Sequence, residues 1–290
     1  MLNLDSEAQG EICIGCAGGI DIFGINNKGE YLKNKDHKKL YEITIDNLDG
    51  GHSGVDIDKN IPNALKLMTK TIKECDADLL DISGGERINS IPKSASAIIV
   101  SHKQPQPTHP NMKIIEVDTN TQHYKKLDEG IINFLYTFSN GVRGYDKELG
   151  VVLSSINLAI IENSIEGLKI SLSGRSMDND ELKIVAAETI EALKIFGFEV
   201  TTNGKYPAWK PTHSDFTAEV LKVYKEVIPE ATLNAIHAGL ECAIFKAKYP
   251  NIDVCPVGPN IYFPHSHREE CEISSVIKIN DVVQKVGKNF

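Results

Sequence analysis

A chain of 290 residues, 41% hydrophobic and 24% charged, is long enough to bury one large core or two ordinary ones. With 31 Lys and Arg against 40 Asp and Glu, the formal charge of −9 argues against non-specific nucleic-acid binding and suits a cytoplasmic protein. No apolar run has membrane-spanning length, no signal-peptide pattern opens the chain, and six irregularly spaced cysteines read as reduced thiols, so no membrane partner is expected.

Met1 to Leu4 reads as a strand that enters at once and ends in the acidic cluster Asp5-Ser6-Glu7. Domains rarely begin at full depth, so an upstream piece is expected to be missing. Glu11 to Cys16 is a second strand, closed by Ala17-Gly18-Gly19. Its Cys13 and Cys16 form a C-x-x-C with no answering Cys or His pair, which favours core thiols over a metal site. Tyr41 to Asp46 alternates with period two, as a half-buried antiparallel strand does.

His52 lies in the glycine-flanked loop Gly50 to Gly54. Asn60 and Pro62 open a helix carrying Leu65, Met68 and Ile72. Leu79 to Ile82 and Ala97 to Val100 are further strands, and Thr119 to Phe138 is expected to be helical in part. Val151 to Ile161 is a long apolar strand. Leu168, Ile170 and Leu172 alternate with polar residues up to Gly174-Arg175. Asp178 or Asn179 caps a helix stopped by Gly197, after which Phe198 to Thr201 forms a strand turned by Asn203-Gly204. These elements fit an α+β domain with helices on one face of a largely antiparallel sheet.

Composition shifts at Tyr206 to Pro211, which places a boundary near 205 and a more α/β-like part after it. Ser214-Asp215 caps a helix carrying Phe216, Val220, Val223 and Val227. Thr232 opens another, on whose flank His237 and Glu241 stand four residues apart. Ile252 to Cys255 is a short strand, Val257-Gly258-Pro259 turns outward, and His265 follows on a loop where open α/β sheets carry ligands.

Taken together, LNLDSEAQGEICIGCAGG at 2–19, GGHSGVDIDKNIPNALKLM at 50–68, SLSGRS at 171–176, AIHAGLECAIFKAKYPNIDVCPVGPNI at 235–261 and HSHREE at 265–270 resemble the aminoacyl-histidine dipeptidases. These are zinc metallopeptidases acting on carnosine-like Xaa-His dipeptides. The resemblance implies an incomplete two-zinc α/β catalytic domain interrupted by an inserted α+β lid that also forms a homodimer. Residues 1–19 would end the first catalytic segment, 20–204 would be the lid, and 205–290 the last catalytic part. The family's upstream segment, with its His-x-Asp pair, bridging Asp and Glu-Glu pair, has no counterpart before Asp5. His213-Ser214-Asp215 and Glu269-Glu270 have similar forms but the wrong chain order.

The resemblance makes Asp5 and His265 ligands of the two metals, zinc first, with Mn2+ or Co2+ as alternatives. It assigns His52 to polarising the scissile carbonyl, where its loop alone would equally suit a plain turn histidine. Arg175 would grip the dipeptide carboxylate through two hydrogen bonds, unless it is an ordinary surface arginine. His237 and Glu241 would line the pocket, an ordinary helix pair being the alternative. One aspartate and one histidine do not hold two zinc ions, so weak or absent activity of this chain alone is expected. The rival expectations are a non-catalytic dimerisation or binding module, and a related metallopeptidase acting on another peptide.

Overall fold

The computed structural model describes residues 1–34, 38–117, 122–262 and 268–289. It is a mixed α/β structure with a nine-stranded, mainly antiparallel sheet at its centre. Along the sheet the order is Met112–Val117, Lys39–Ile45, Ala95–Ser101, Asp78–Gly84, Val151–Ser164, Gly167–Ser176, Gly18–Asn26 and Glu199–Tyr206. Gly141–Asp146 pairs beside Val151–Ser164. Alternation decides which side chains go inward: Tyr41, Ile43 and Ile45 are buried while Glu42 between them is exposed.

Three helices cover the buried face: α1 (Ala64–Glu74), α2 (Glu129–Thr137) and α3 (Asn179–Ile195). Leu65, Met68 and Ile72 of α1, Phe134 and Leu135 of α2, and Leu182, Val185 and Leu193 of α3 share one core with Ile43, Ile99, Leu158 and Ile170. The caps are local. Asn63 accepts from the amides of Leu65 and Lys66, and Asp178 from those of Asp180 and Glu181. Gly197 leaves α3 at φ +85°, a backbone region open chiefly to glycine.

Residues on either side of this sheet build a second set of cores. Leu2–Asn3 pairs in parallel with Cys255–Pro256, and Glu11–Cys16 with Thr232–Ile236. Helices α4 (Asp215–Val227) and α6 (Ile273–Asn289) pack over them, burying Ile12, Val220, Tyr224, Val257 and Val282 together. Ser214 caps α4 through a reciprocal capping box with Thr217. The chain crosses between the two parts twice, between Cys16 and Gly18 and around Trp209. There Cys16 and Trp209 exchange two backbone hydrogen bonds of 2.9 and 3.0 Å.

Four readings of the sequence change. Glu11–Cys16 ends before Ala17 as expected, but Gly18-Gly19 are not a loop: they start Gly18–Asn26, flanked on both sides in the sheet. The expected helix from Thr232 is a strand as far as Ile236, because its backbone pairs with Glu11–Cys16; only α5 (Glu241–Lys248) is helical. His123–Leu127 is a strand against Gly29–Lys33, and the helix there is confined to α2; residues 118–121 lie outside the described ones. The last strand of the sheet runs through Asn203-Gly204 to Tyr206 with a register shift rather than turning. No described helix is long and apolar enough to cross a membrane.

Candidate active site

His52 ends the short strand Gly51–His52, paired with Ser90–Ile91. Its backbone N–H donates to Asp56 Oδ2 at 2.7 Å, and Lys59 Nζ lies 2.6 Å from the other carboxylate oxygen. Burial pushes the Asp56 acid upward. The lysine and the His52 amide outweigh it, so the acid ends below its usual range. The amides of Gly54 and Val55 donate to His52 Nδ1 at 3.2 and 3.1 Å. A neutral imidazole accepting at Nδ1 carries its proton on Nε2, which makes that nitrogen a donor.

This turn rests on the chain segment of His237. A Cβ on Gly54 would lie 2.4 Å from the His237 carbonyl oxygen, so glycine permits the approach. His237 is 4% exposed, and its Nε2 sits 2.8 Å from Ser155 Oγ. Burial, reinforced by the Arg175 charge, pushes its pKa down to about 3, so the ring is neutral.

Arg175 is opposite Ser155 in the sheet and 6% exposed. Its Nη1 donates to the Tyr206 hydroxyl at 2.9 Å, while Nε has no hydrogen-bond partner. Burial raises the acid of Asp21, with Ser173 and the guanidinium of Arg175 pulling it back. Asn157 lies two residues beyond Ser155, hence on the same face. It donates to the Ser90 carbonyl at 2.8 Å, which ties it to the His52 strand, and its Oδ1 is buried without a partner. Ser53 Oγ is also buried and unpartnered. Such groups are rare in folded proteins; Arg175 Nε, Asn157 Oδ1 and His237 Nδ1 belong to residues joined through Ser155 and its strand, while Gln9 Oε1 and Asn234 Oδ1 are orphaned elsewhere.

Glu241 is elsewhere. As the first residue of α5 it accepts from Asn3 Nδ2 at 2.9 Å, and Asn3 Oδ1 accepts from the Asp5 backbone N–H at 3.0 Å. The structure thus separates His237 from Glu241, expected on one helix flank, and brings Glu241 to the Asp5 turn. That turn packs closely on the segment leading towards residue 265. A Cβ on Gly258 would lie 1.7 Å from the Ser6 carbonyl oxygen, and Ile261 N–H donates to the Glu7 carbonyl at 3.0 Å. His265 itself is outside the described residues. Among the described residues no group of three or more His, Cys, Asp and Glu side chains could hold a metal ion.

Cys13 and Cys16 are buried, and burial pushes their thiols up to about 12 and 11. Ser155, Asn157 and Tyr206 were not singled out from the sequence. Two were signalled there: with Ser154, Ser155 and Asn157 are the polar residues of the mainly apolar strand Val151 to Ile161, and those two share one face.

No family model matches the chain. A curated protein, the cytosol non-specific dipeptidase of Escherichia coli (strain K12), is 30% identical over 305 residues, covering 95% of this chain and 63% of the relative. Among solved structures, aminoacylhistidine dipeptidase from Vibrio alginolyticus superposes with a TM-score of 0.79 at 27% identity, covering 99% of this chain and 64% of that one. The chain therefore spans a little under two thirds of the length of the relatives it matches.

Proposed function

We propose, from its similarity to these two dipeptidases, that the chain is a member of the aminoacyl-histidine dipeptidase family and binds Xaa-His dipeptides of the carnosine type for peptide-bond hydrolysis. The observation that carries this is Arg175, a buried guanidinium with an unpartnered Nε, beside a neutral His237. An arginine so placed offers a carboxylate two parallel hydrogen bonds. His52, with its donor on Nε2, would sit toward the scissile carbonyl and stabilise its developing negative charge. His237 would line the pocket between them as a neutral hydrogen-bonding group.

Two divalent metals, zinc first and Mn2+ or Co2+ as alternatives, belong to the same proposal, with Asp5 and His265 among their ligands. The packing of Ser6 on Gly258 and of Glu7 against Ile261 holds the Asp5 turn against the segment that ends at Tyr262, which supports the Asp5 part of this reading. Glu241, tied to Asp5 through Asn3, belongs to this end of the site. A catalytic zinc normally takes three protein ligands, and the described residues supply no such group. They do not by themselves fit a complete metal site, and no catalytic step is derived through one. This favours a second reading, binding without turnover.

The proposed layout keeps 1–19 and 205–290 as catalytic parts and 20–204 as an inserted lid that pairs two copies in the cytoplasm. Its support is that the nine-stranded sheet lies within Gly18 to Tyr206 and the parallel pairs outside it. Calorimetric titration of β-alanyl-histidine, with hydrolysis followed in added zinc, tests the function. Binding lost in Arg175→Ala is expected. Equal binding by that variant sinks the carboxylate grip, and turnover at ordinary enzyme rates sinks the binding-only reading.

A further inference from the structure

Tyr206 lies at the end of the sheet's last strand, where a register shift between Asn203 and Tyr206 brings it opposite Gly19. Such a bulge re-aims the side chain that follows it. The ring then occupies a slot that two glycines leave open. A Cβ on Gly19 would lie 2.5 Å from its Cζ and Oη, and one on Gly239 would lie 2.7 Å from its Cε2. Gly19 comes from the large sheet and Gly239 from the loop just after His237, so the ring is held from both parts of the molecule. Its hydroxyl accepts from Arg175 Nη1 at 2.9 Å.

From this geometry we infer that Tyr206 is a positioning residue, whose hydroxyl holds the Arg175 guanidinium with its remaining donors turned to the pocket. The inference rests on the reading of Arg175 as the carboxylate anchor. A guanidinium buried to this degree with few partners has to be held in place if its free N–H groups are to meet a ligand in one orientation. A phenol does so without competing: it fills one donor and brings no charge, whereas a carboxylate at that place would neutralise the arginine and weaken its attraction for an anion. The glycines complete the device by leaving room for the rigid ring in this seat, which a side chain at either position would fill.

The test compares wild type, Tyr206→Phe and Arg175→Lys, each as the full chain. It measures binding of β-alanyl-histidine and of its C-terminal amide, the melting temperature, and the Arg175 Nε–H resonance in 15N-labelled protein, assigned by its loss in Arg175→Lys. Tyr206→Phe should melt close to wild type and keep its affinity for the amide. Its preference for the free carboxylate should fall about tenfold, the scale of one hydrogen bond to a charged group, and the Nε–H signal should shift or broaden. A full preference in Tyr206→Phe, where Arg175→Lys has lost it, overturns the positioning role and leaves the anchor standing. If wild type shows no preference for the carboxylate, the anchor falls. The resonance then decides: unchanged in Tyr206→Phe it overturns the role of the hydroxyl, and altered it upholds it.

Discussion

His237 Nε2 and Ser155 Oγ, 2.8 Å apart, join the loop after Thr232–Ile236 to the centre of the nine-stranded sheet. A bond between residues 82 positions apart fixes one part of the molecule on the other at the point where the buried polar groups gather. Its chemistry depends on a neutral ring, and that has a consequence for stability.

His237 has a folded pKa near 3 against about 6.5 when solvated, owing first to burial and then to Arg175. On acidification the unfolded chain therefore takes up a proton that the folded chain refuses. The contribution of His237 is complete above about pH 6.5 and declines as the pH falls from there toward 3. One proton of difference corresponds to about 1.4 kcal/mol per pH unit. Urea melts from pH 7 to 4.5 should show this slope, and His237→Gln, which keeps a partner for Ser155, should flatten it. Identical slopes for the two proteins would show that this ring is not the group refusing the proton.

The elements legible in the sequence were those whose determinants are local. Asp178 and Ser214 announce α3 and α4, and the period-two alternation of Tyr41 to Ile45 announces a strand, whereas α1 is capped by Asn63 rather than opened at Asn60 and Pro62. Thr232 to Ile236 misled because Leu233, Ile236 and Leu240 have helical spacing, yet pairing with Glu11–Cys16 captures the backbone. Gly18 and Gly19 read as a stop, but they are glycines because Ala208 and Tyr206 approach them too closely for any side chain. Among the named site residues, the His52 turn lies against the His237 backbone, and Arg175 stands opposite the Ser155 that pairs with His237. That arrangement is a matter of register between distant strands, which no local pattern records. Ser154, Ser155 and Asn157 are all polar residues in a mainly apolar strand, but only register tells Ser155 and Asn157 from Ser154, which bonds Glu181 instead, and Tyr206 carries no signal beyond its place in the connector.

The two sets of cores should differ in local stability. The large sheet buries 33 side chains in one cluster under three helices. The other part rests on strand pairs of six residues or fewer. Opening free energies follow such differences in buried contact and backbone pairing. Hydrogen exchange should leave Ile43, Ile99 and Ile170 protected longer than Ile12, Val220 and Val282. Equal protection in both parts would contradict this.

Thiol chemistry should single out Cys271. Cys13, Cys16, Cys75, Cys242 and Cys255 are buried, and burial raises all five thiols, so little thiolate is present at neutral pH. Cys271 is exposed. Native protein treated with a chromogenic disulfide at pH 7.5 should react quickly at about one site, and Cys271→Ser should remove that phase. Rapid reaction of Cys13 or Cys16 in the folded chain would mean that Glu11–Cys16 is not the covered strand described above.

The Gly50 to Asp56 turn determines where the His52 ring proton resides, and Asp56 determines the turn. Its carboxylate receives the His52 amide at 2.7 Å while Lys59 holds its other oxygen. Gly54 and Val55 can then present both amides to Nδ1. In 15N spectra of histidine-labelled protein at pH 7.5, His52 should show an unprotonated, hydrogen-bonded Nδ1 and a protonated Nε2. Asp56→Ala removes an acceptor from a half-buried amide and should cost about 1–2 kcal/mol of stability. It should also move the His52 nitrogen shifts toward an average of the two tautomers, because the amides no longer converge. Asp56→Asn, which retains an acceptor oxygen but loses the ion pair with Lys59, should keep the tautomer at a smaller stability loss. If Asp56→Ala leaves the shifts untouched, the Gly54 and Val55 amides select the tautomer unaided and the carboxylate serves only the backbone.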